Sequence, residues 1–165
     1  MTAREAEQRA NAVREARRWI GTPYHEQADV LGVGVDCGMS LVRVFVDTGL
    51  VPAFDPRPYP RDWMMHRDDE RYLDVVRALA ARELDLAVET PAAGDVVVWK
   101  HGRTFSHGAI VTGAPGTLSG WPWIVHAYAD AGRVEEIPVT GTPLMRIAGG
   151  PRPMRAFSYW PKGAI

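Results

Sequence analysis

The chain has 165 residues, the length of one domain, and is long enough to bury a core without staples. Hydrophobic residues make up 46% and charged residues 24%, as in ordinary globular proteins. Nineteen basic residues against twenty acidic ones leave a net charge of −1, without the cationic excess that a nucleic-acid surface requires. One cysteine excludes an internal disulfide framework and leaves a buried hydrophobe, a reactive thiol or a metal ligand. Met1 to Ala10 is polar and charged, with no apolar core of a secretory signal. No apolar run reaches the roughly 18 residues needed to span a bilayer. The expected location is therefore the cytosol, unless another machine carries the protein out.

In chain order, Thr2 and Glu5 have capping-box spacing, and Ala6, Ala10, Val13, Trp19 and Ile20 recur near helical period. Gly21 and Pro23 stop this first helix. Residues 31–35 read as a flexible loop rich in glycine. Asp36 then caps a second helix with an apolar face of Leu41, Val42, Phe45 and Val46, ending at Gly49. Prolines 52, 56, 58 and 60 make 51–60 an extended connector. A third helix is expected over 68–82, with Tyr72, Leu73, Val76, Leu79 and Ala80 inward, and the charge run 67–71 as its solvated first turn.

Beyond Pro91 the pattern turns to strands: 95–99, 108–112, 123–128 and 134–139, with a closing strand at 154–160. Gly132 marks a hairpin turn between the third and fourth. Helices followed by hairpin-linked strands predict an α+β fold, the helices packed on an antiparallel sheet. No internal repeat or second composition regime appears, so 1–165 reads as one domain.

Cys37 falls in the first turn of the second helix. Unpaired amides and the positive helix end there stabilise a thiolate and are expected to lower the thiol pKa, and the same amides suit an oxyanion. Gly32, Gly34 and Gly38 leave the surrounding backbone open. A thiol nucleophile needs a base held by a third group. His107 opens one strand and His126 lies in the next. If those strands are antiparallel neighbours, both rings project from one face and His126 orients His107. His25, His66 and His101 fall in loops and are expected to be exposed. Cys37, His107, His126 and a water also offer a zinc shell in ligand type, although short Cys-x-x-Cys or His-x-x-x-His pairs are missing.

Trp19-Ile-Gly-Thr-Pro-Tyr24 followed by Gly34-Val-Asp-Cys37 resembles the first motif of the NlpC/P60 cell-wall cysteine peptidases. Gly94-Asp-Val-Val-Val98 with Ser106-His-Gly-Ala-Ile110 resembles the second, and Val125-His-Ala-Tyr128 the third. Tyr59-Pro-Arg-Asp-Trp63 and Asp69-Glu-Arg-Tyr72 resemble the branch encoded beside tail genes of phages and gene-transfer agents. The resemblance runs from about Ala16 to Tyr128. It implies a papain-like fold and a peptidoglycan endopeptidase acting on stem peptides, often at a D-glutamyl–diamino-acid bond. Cys37 is then the nucleophile, His107 the base and His126 the orienting residue. Tyr24 and Asp36 fall at substrate-side positions, Asp36 mainly as a helix cap. No metal or other cofactor is implied. The implied partners are the stem peptide and other tail-tip proteins, with the protein carried in a particle tail and acting in the wall of the target cell.

The chain departs from the resemblance after the cysteine, where Gly38-Met39 stands for the usual Ser-Gly. That departure makes a catalytically relaxed structural component of a tail tip the alternative. Trp121 and Trp123 around Pro122 are a candidate docking surface in that reading.

Overall fold

The computed structural model describes residues 1–60, 68–114, 121–140, 142, 146–147 and 150–162. His66, Arg67 and the end of the Tyr59–Trp63 motif lie outside the described residues. Among the described residues, three helices precede most of the sheet: α1 (Ala3–Arg18), α2 (Cys37–Asp47) and α3 (Arg71–Leu79). A two-residue hairpin, β1 (Asp29–Val30) with β2 (Gly34–Val35), replaces the expected flexible loop before α2. Pairing fixes it: the Val35 amide donates to the Pro23 carbonyl and its carbonyl accepts the His25 amide, both at 3.0 Å. The run into Cys37 is thereby held, not loose.

The main sheet contains β3 (Arg82–Glu83), β4 (Val96–His101), β5 (Thr104–Val111), β6 (Trp123–Tyr128), β7 (Arg133–Pro138) and β10 (Met154–Ser158). A separate pair is formed by β8 (Arg146–Ile147) and β9 (Gly150–Pro151). The sheet order is β3-β10-β4-β5-β6-β7, antiparallel throughout, so β4 to β7 form a meander and β10 returns to the outer side of β4. This is the α+β arrangement expected from the sequence.

Alternation along the strands separates two apolar sets. Val96, Val98, Ile110, Val125 and Ala127 join the cluster with Ala12, Leu41, Phe45 and Val76 from the helices. Val97, Trp99, Ala109, Val111 and Ile124 form a second cluster with Leu84 and Val139. Both faces being covered explains why 96–99 is an unbroken apolar run instead of an alternating one. Trp99 and Phe157 are both 0% exposed, and burial of one such side chain is worth about 2–3 kcal/mol.

Two helices differ from expectation. In α1, Thr2 does cap, its hydroxyl accepting from the Glu5 amide at 3.1 Å. The inward stripe is nevertheless Arg9, Ala12, Val13, Ala16 and Trp19, while Ile20 is exposed. The reason is tertiary: Arg9 donates to the Ala93 carbonyl and Asp95 at 2.9 Å and to Ser158 Oγ at 3.1 Å, and lies over the Trp160 ring. A fully partnered guanidinium is admitted to the interior. Helix α3 is shorter than 68–82. Glu70 spends its carboxylate on the Phe105 amide at 2.8 Å. At the other end, Ala81 donates to the Ser158 carbonyl at 2.9 Å, drawing Arg82–Glu83 into the sheet.

Candidate active site

Asp36 positions Cys37. Its backbone is extended and its Oδ1 accepts the Met39 amide at 2.8 Å, a helix N-cap. Its Oδ2 accepts the Gln27 amide and the Tyr59 hydroxyl, each at 2.7 Å. Asp36 is 3% exposed and its carboxylate serves three protein donors, which is the capping role.

Strand β5 positions the histidines. Trp99 is opposite His107 and Lys100 opposite Phe105, so Ser106 is the extra residue of a β-bulge. His107 is opposite Trp99, and His101, two residues on from Trp99, shares its face, with the His101 and His107 ring centroids 5.3 Å apart. His107 Nε2 is 3.0 Å from His126 Nδ1 on the neighbouring strand β6. Tyr128 stacks on His126, and Trp99 lies beside His107. His126 Nε2 is 3.4 Å from Glu135 Oε1 without making a hydrogen bond to it.

The sulfur of Cys37 reaches β5 at the bulge. Its hydrogen bond goes to the Ser106 carbonyl at 3.7 Å and not to the His107 ring. The structure thus brings His107 and His126 together and sets Cys37 against the backbone one residue before His107. Tyr72 donates to the Cys37 carbonyl at 3.1 Å. Gly108 makes this cover possible. A Cβ at Gly108 would strike Tyr72 Oη and come within 2.8 Å of Leu41 Cδ1, and one at Gly38 would touch Tyr59 Oη at 3.4 Å. Gly38 stands where the resemblance expects a hydroxyl, and a Cβ there would be in ordinary contact with both tyrosines.

Burial, then the neighbouring Asp36 charge, pushes the Cys37 thiol up to about 12, against opposing backbone N–H groups of Gly108 and Cys37. This reverses the lowering expected from the helix start: the amides are present, but for the half-buried Cys37 the loss of solvation and the Asp36 charge outweigh them. Burial also holds His126 down at about 4 and His107 well below the ordinary imidazole value, with the charges of His126, His101 and Arg152 adding to the effect on His107. The resting site therefore holds a neutral thiol and neutral imidazoles.

Tyr24 is half-buried and lines a cavity of about 120 Å³ with Cys37, Leu41, Val42, Phe45 and Tyr72. His25 is exposed as expected. His101 is not: it ends β4 half-buried beside His107, because the strand runs two residues beyond Trp99. Tyr59 and Tyr72 sat inside recognised motifs, but only contact reveals what they touch. Among the described residues no three His, Cys, Asp or Glu side chains stand where they could share a metal ion, so the zinc shell finds no geometric support. Trp121 and Trp123 are half-buried, and Trp121 packs on the second cluster.

No protein-family model matches the chain, and no curated protein matches its sequence. Solved structures do share its fold. The NlpC/p60 domain of the peptidoglycan hydrolase SagA superposes with a TM-score of 0.55 at 19% identity, over 89% of this chain and 96% of that one. The peptidoglycan hydrolase RipB of Mycobacterium tuberculosis gives 0.58 at 19% identity, over 98% and 70%. An N-acetylmuramoyl-L-alanine amidase from Bacteroides uniformis gives 0.56 at 10% identity, over 92% and 98%. At these identities what is shared is the fold: helices on an antiparallel sheet, as in NlpC/P60 hydrolases.

Proposed function

We propose that the chain is a single-domain cysteine peptidase of the NlpC/P60 type that hydrolyses an amide bond in peptidoglycan stem peptides. The observation that carries this reading is the 3.0 Å His107–His126 pair on the strand whose bulge meets the Cys37 sulfur, in a fold shared with peptidoglycan hydrolases. In the reaction the sulfur turns from the Ser106 carbonyl to His107 Nδ1, which takes the thiol proton as sulfur attacks the substrate carbonyl. Because the thiol is held protonated and the imidazole neutral, transfer accompanies attack and no ion pair stands ready beforehand. His126 Nδ1 accepts from His107 Nε2–H and stabilises the imidazolium. The first-turn amides of α2 receive the oxyanion. His107 then protonates the leaving amine, and water resolves the thioester. In the same proposal the enzyme travels in a phage or gene-transfer-agent tail, in contact with other tail-tip proteins, and acts in the wall of the target cell. Support for that setting is the resemblance at Tyr59–Trp63 and Asp69–Tyr72.

The sulfur's bond to a carbonyl favours one second reading, a relaxed site in a structural tail component. Purified protein and its Cys37→Ala variant are incubated with defined muropeptides, and products are read by mass spectrometry. Cleavage by the first alone is the expected result. Cleavage by both variants would overturn the nucleophile, and cleavage by neither, with folded protein, would overturn the peptidase in favour of the structural component.

A further inference from the structure

Around the end of β4, beside the imidazole pair, several buried polar atoms have no protein partner. They are Trp99 Nε1, His101 Nε2, Thr104 Oγ1 and Arg152 Nε. They are neighbours: the Trp99 and His101 rings flank His107 at 6.1 and 5.3 Å. Thr104 is paired with His101 across the hairpin. Arg152 Nη1 donates at 2.9 Å to the carbonyl of Lys100, the residue between Trp99 and His101. An indole N–H and a guanidinium N–H can only donate, and a buried donor left unmet is costly. Among the described residues no carboxylate forms an ion pair with Arg152. The place is therefore rich in donors and adjoins the proposed base, and Arg152 acts there opposite Asp130, both reaching His101 and Tyr128 without forming an ion pair.

We infer that Arg152, with Trp99 and His101, forms a subsite for a free carboxylate of the substrate peptide. The inference rests on the peptidase reading for the identity of the peptide, and the subsite sets which stem peptides are accepted. A carboxylate supplies acceptors to the unmet N–H groups and cancels the Arg152 charge, which otherwise adds to burial in holding down His101 and His107. A neutral carboxamide offers one acceptor oxygen and no charge. A stem peptide cleaved beside a glutamyl residue presents such carboxylates close to the scissile bond. Arg152 is here a specificity residue and takes no part in bond making.

The test separates binding from turnover. A muramyl tripeptide with free glutamyl and diamino-acid carboxylates, and the same peptide with both amidated, are titrated into Cys37→Ala protein by calorimetry. The free acid is expected to bind at least about tenfold more tightly, and Arg152→Gln in the same background to erase that preference. Arg152→Lys, which keeps the charge and loses the fork, is expected to keep part of it, and covers the case in which the glutamine variant does not fold. Equal binding of the two peptides, or a preference unchanged by Arg152→Gln, overturns the subsite. Hydrolysis of both peptides at one rate by the unmodified chain would also overturn it while upholding the peptidase. A preference in binding without any hydrolysis would uphold the subsite and overturn the peptidase.

Discussion

Asp36 does two opposing things to the residue next to it. Its oxygens hold the Met39 and Gln27 amides and the Tyr59 hydroxyl, which fixes the start of α2 and hence where the sulfur sits. Its charge, second to burial, raises the thiol toward about 12. At pH 8 so little thiolate exists that iodoacetamide is expected to label Cys37 at least about 100-fold more slowly than free cysteine. Asp36→Asn keeps the cap through its one oxygen and removes the charge, at the loss of the Gln27 hydrogen bond, which its amide nitrogen cannot accept. Labelling followed by mass spectrometry should be about three- to tenfold faster in Asp36→Asn than in the parent. A parent thiol as reactive as free cysteine would contradict the burial described here.

At the scale of elements, α3 is fastened to the two parts of the site at once. Tyr72 donates to the Cys37 carbonyl on α2, and Glu70 accepts the Phe105 amide on β5. The close passage of Tyr72 over β5 requires a residue without a side chain at 108. Gly108→Ala is therefore expected to cost about 1–3 kcal/mol in urea unfolding. Tyr72→Phe alone loses one hydrogen bond, about 1 kcal/mol. The double variant should cost less than the sum, since removing the hydroxyl opens space for the new methyl. Strict additivity would mean that the two residues do not touch. Neither helical period nor strand alternation signals this contact, because it joins residues 36 apart in sequence through a steric exclusion.

For the molecule as a whole, burying imidazoles in the sheet links folding to pH. The unfolded chain protonates its histidines near 6.5, whereas His126 in the fold does so near 4 and His107 well below its ordinary value. Between these limits the unfolded state binds more protons. Stability is thus complete above about pH 6.5 and falls as pH drops toward 4. For His126 alone the shift corresponds to about 3 kcal/mol. Urea midpoints at pH 7.5, 6 and 5 should decline in that order, and His126→Gln should flatten the decline. A midpoint unchanged across the window would show that these rings are open to water.

What the sequence by itself determined is what depends on near neighbours. The Thr2 and Asp36 caps, the apolar face of α2, the β6–β7 hairpin and the succession of helices and strands follow from propensity, period and turn chemistry. So does the placing of Cys37 in a first helical turn and of His107 and His126 on adjacent strands. The tertiary structure decided what depends on distant groups. Arg9 is buried because Asp95, Ser158 and Trp160 come to meet it. His101 joins the imidazoles because β4 runs two residues beyond Trp99, the partner of His107. The thiol is raised instead of lowered because burial and the Asp36 charge outweigh the first-turn amides. Desolvation and charge act through space, and no local pattern of residues records which groups the folded chain will bring within reach.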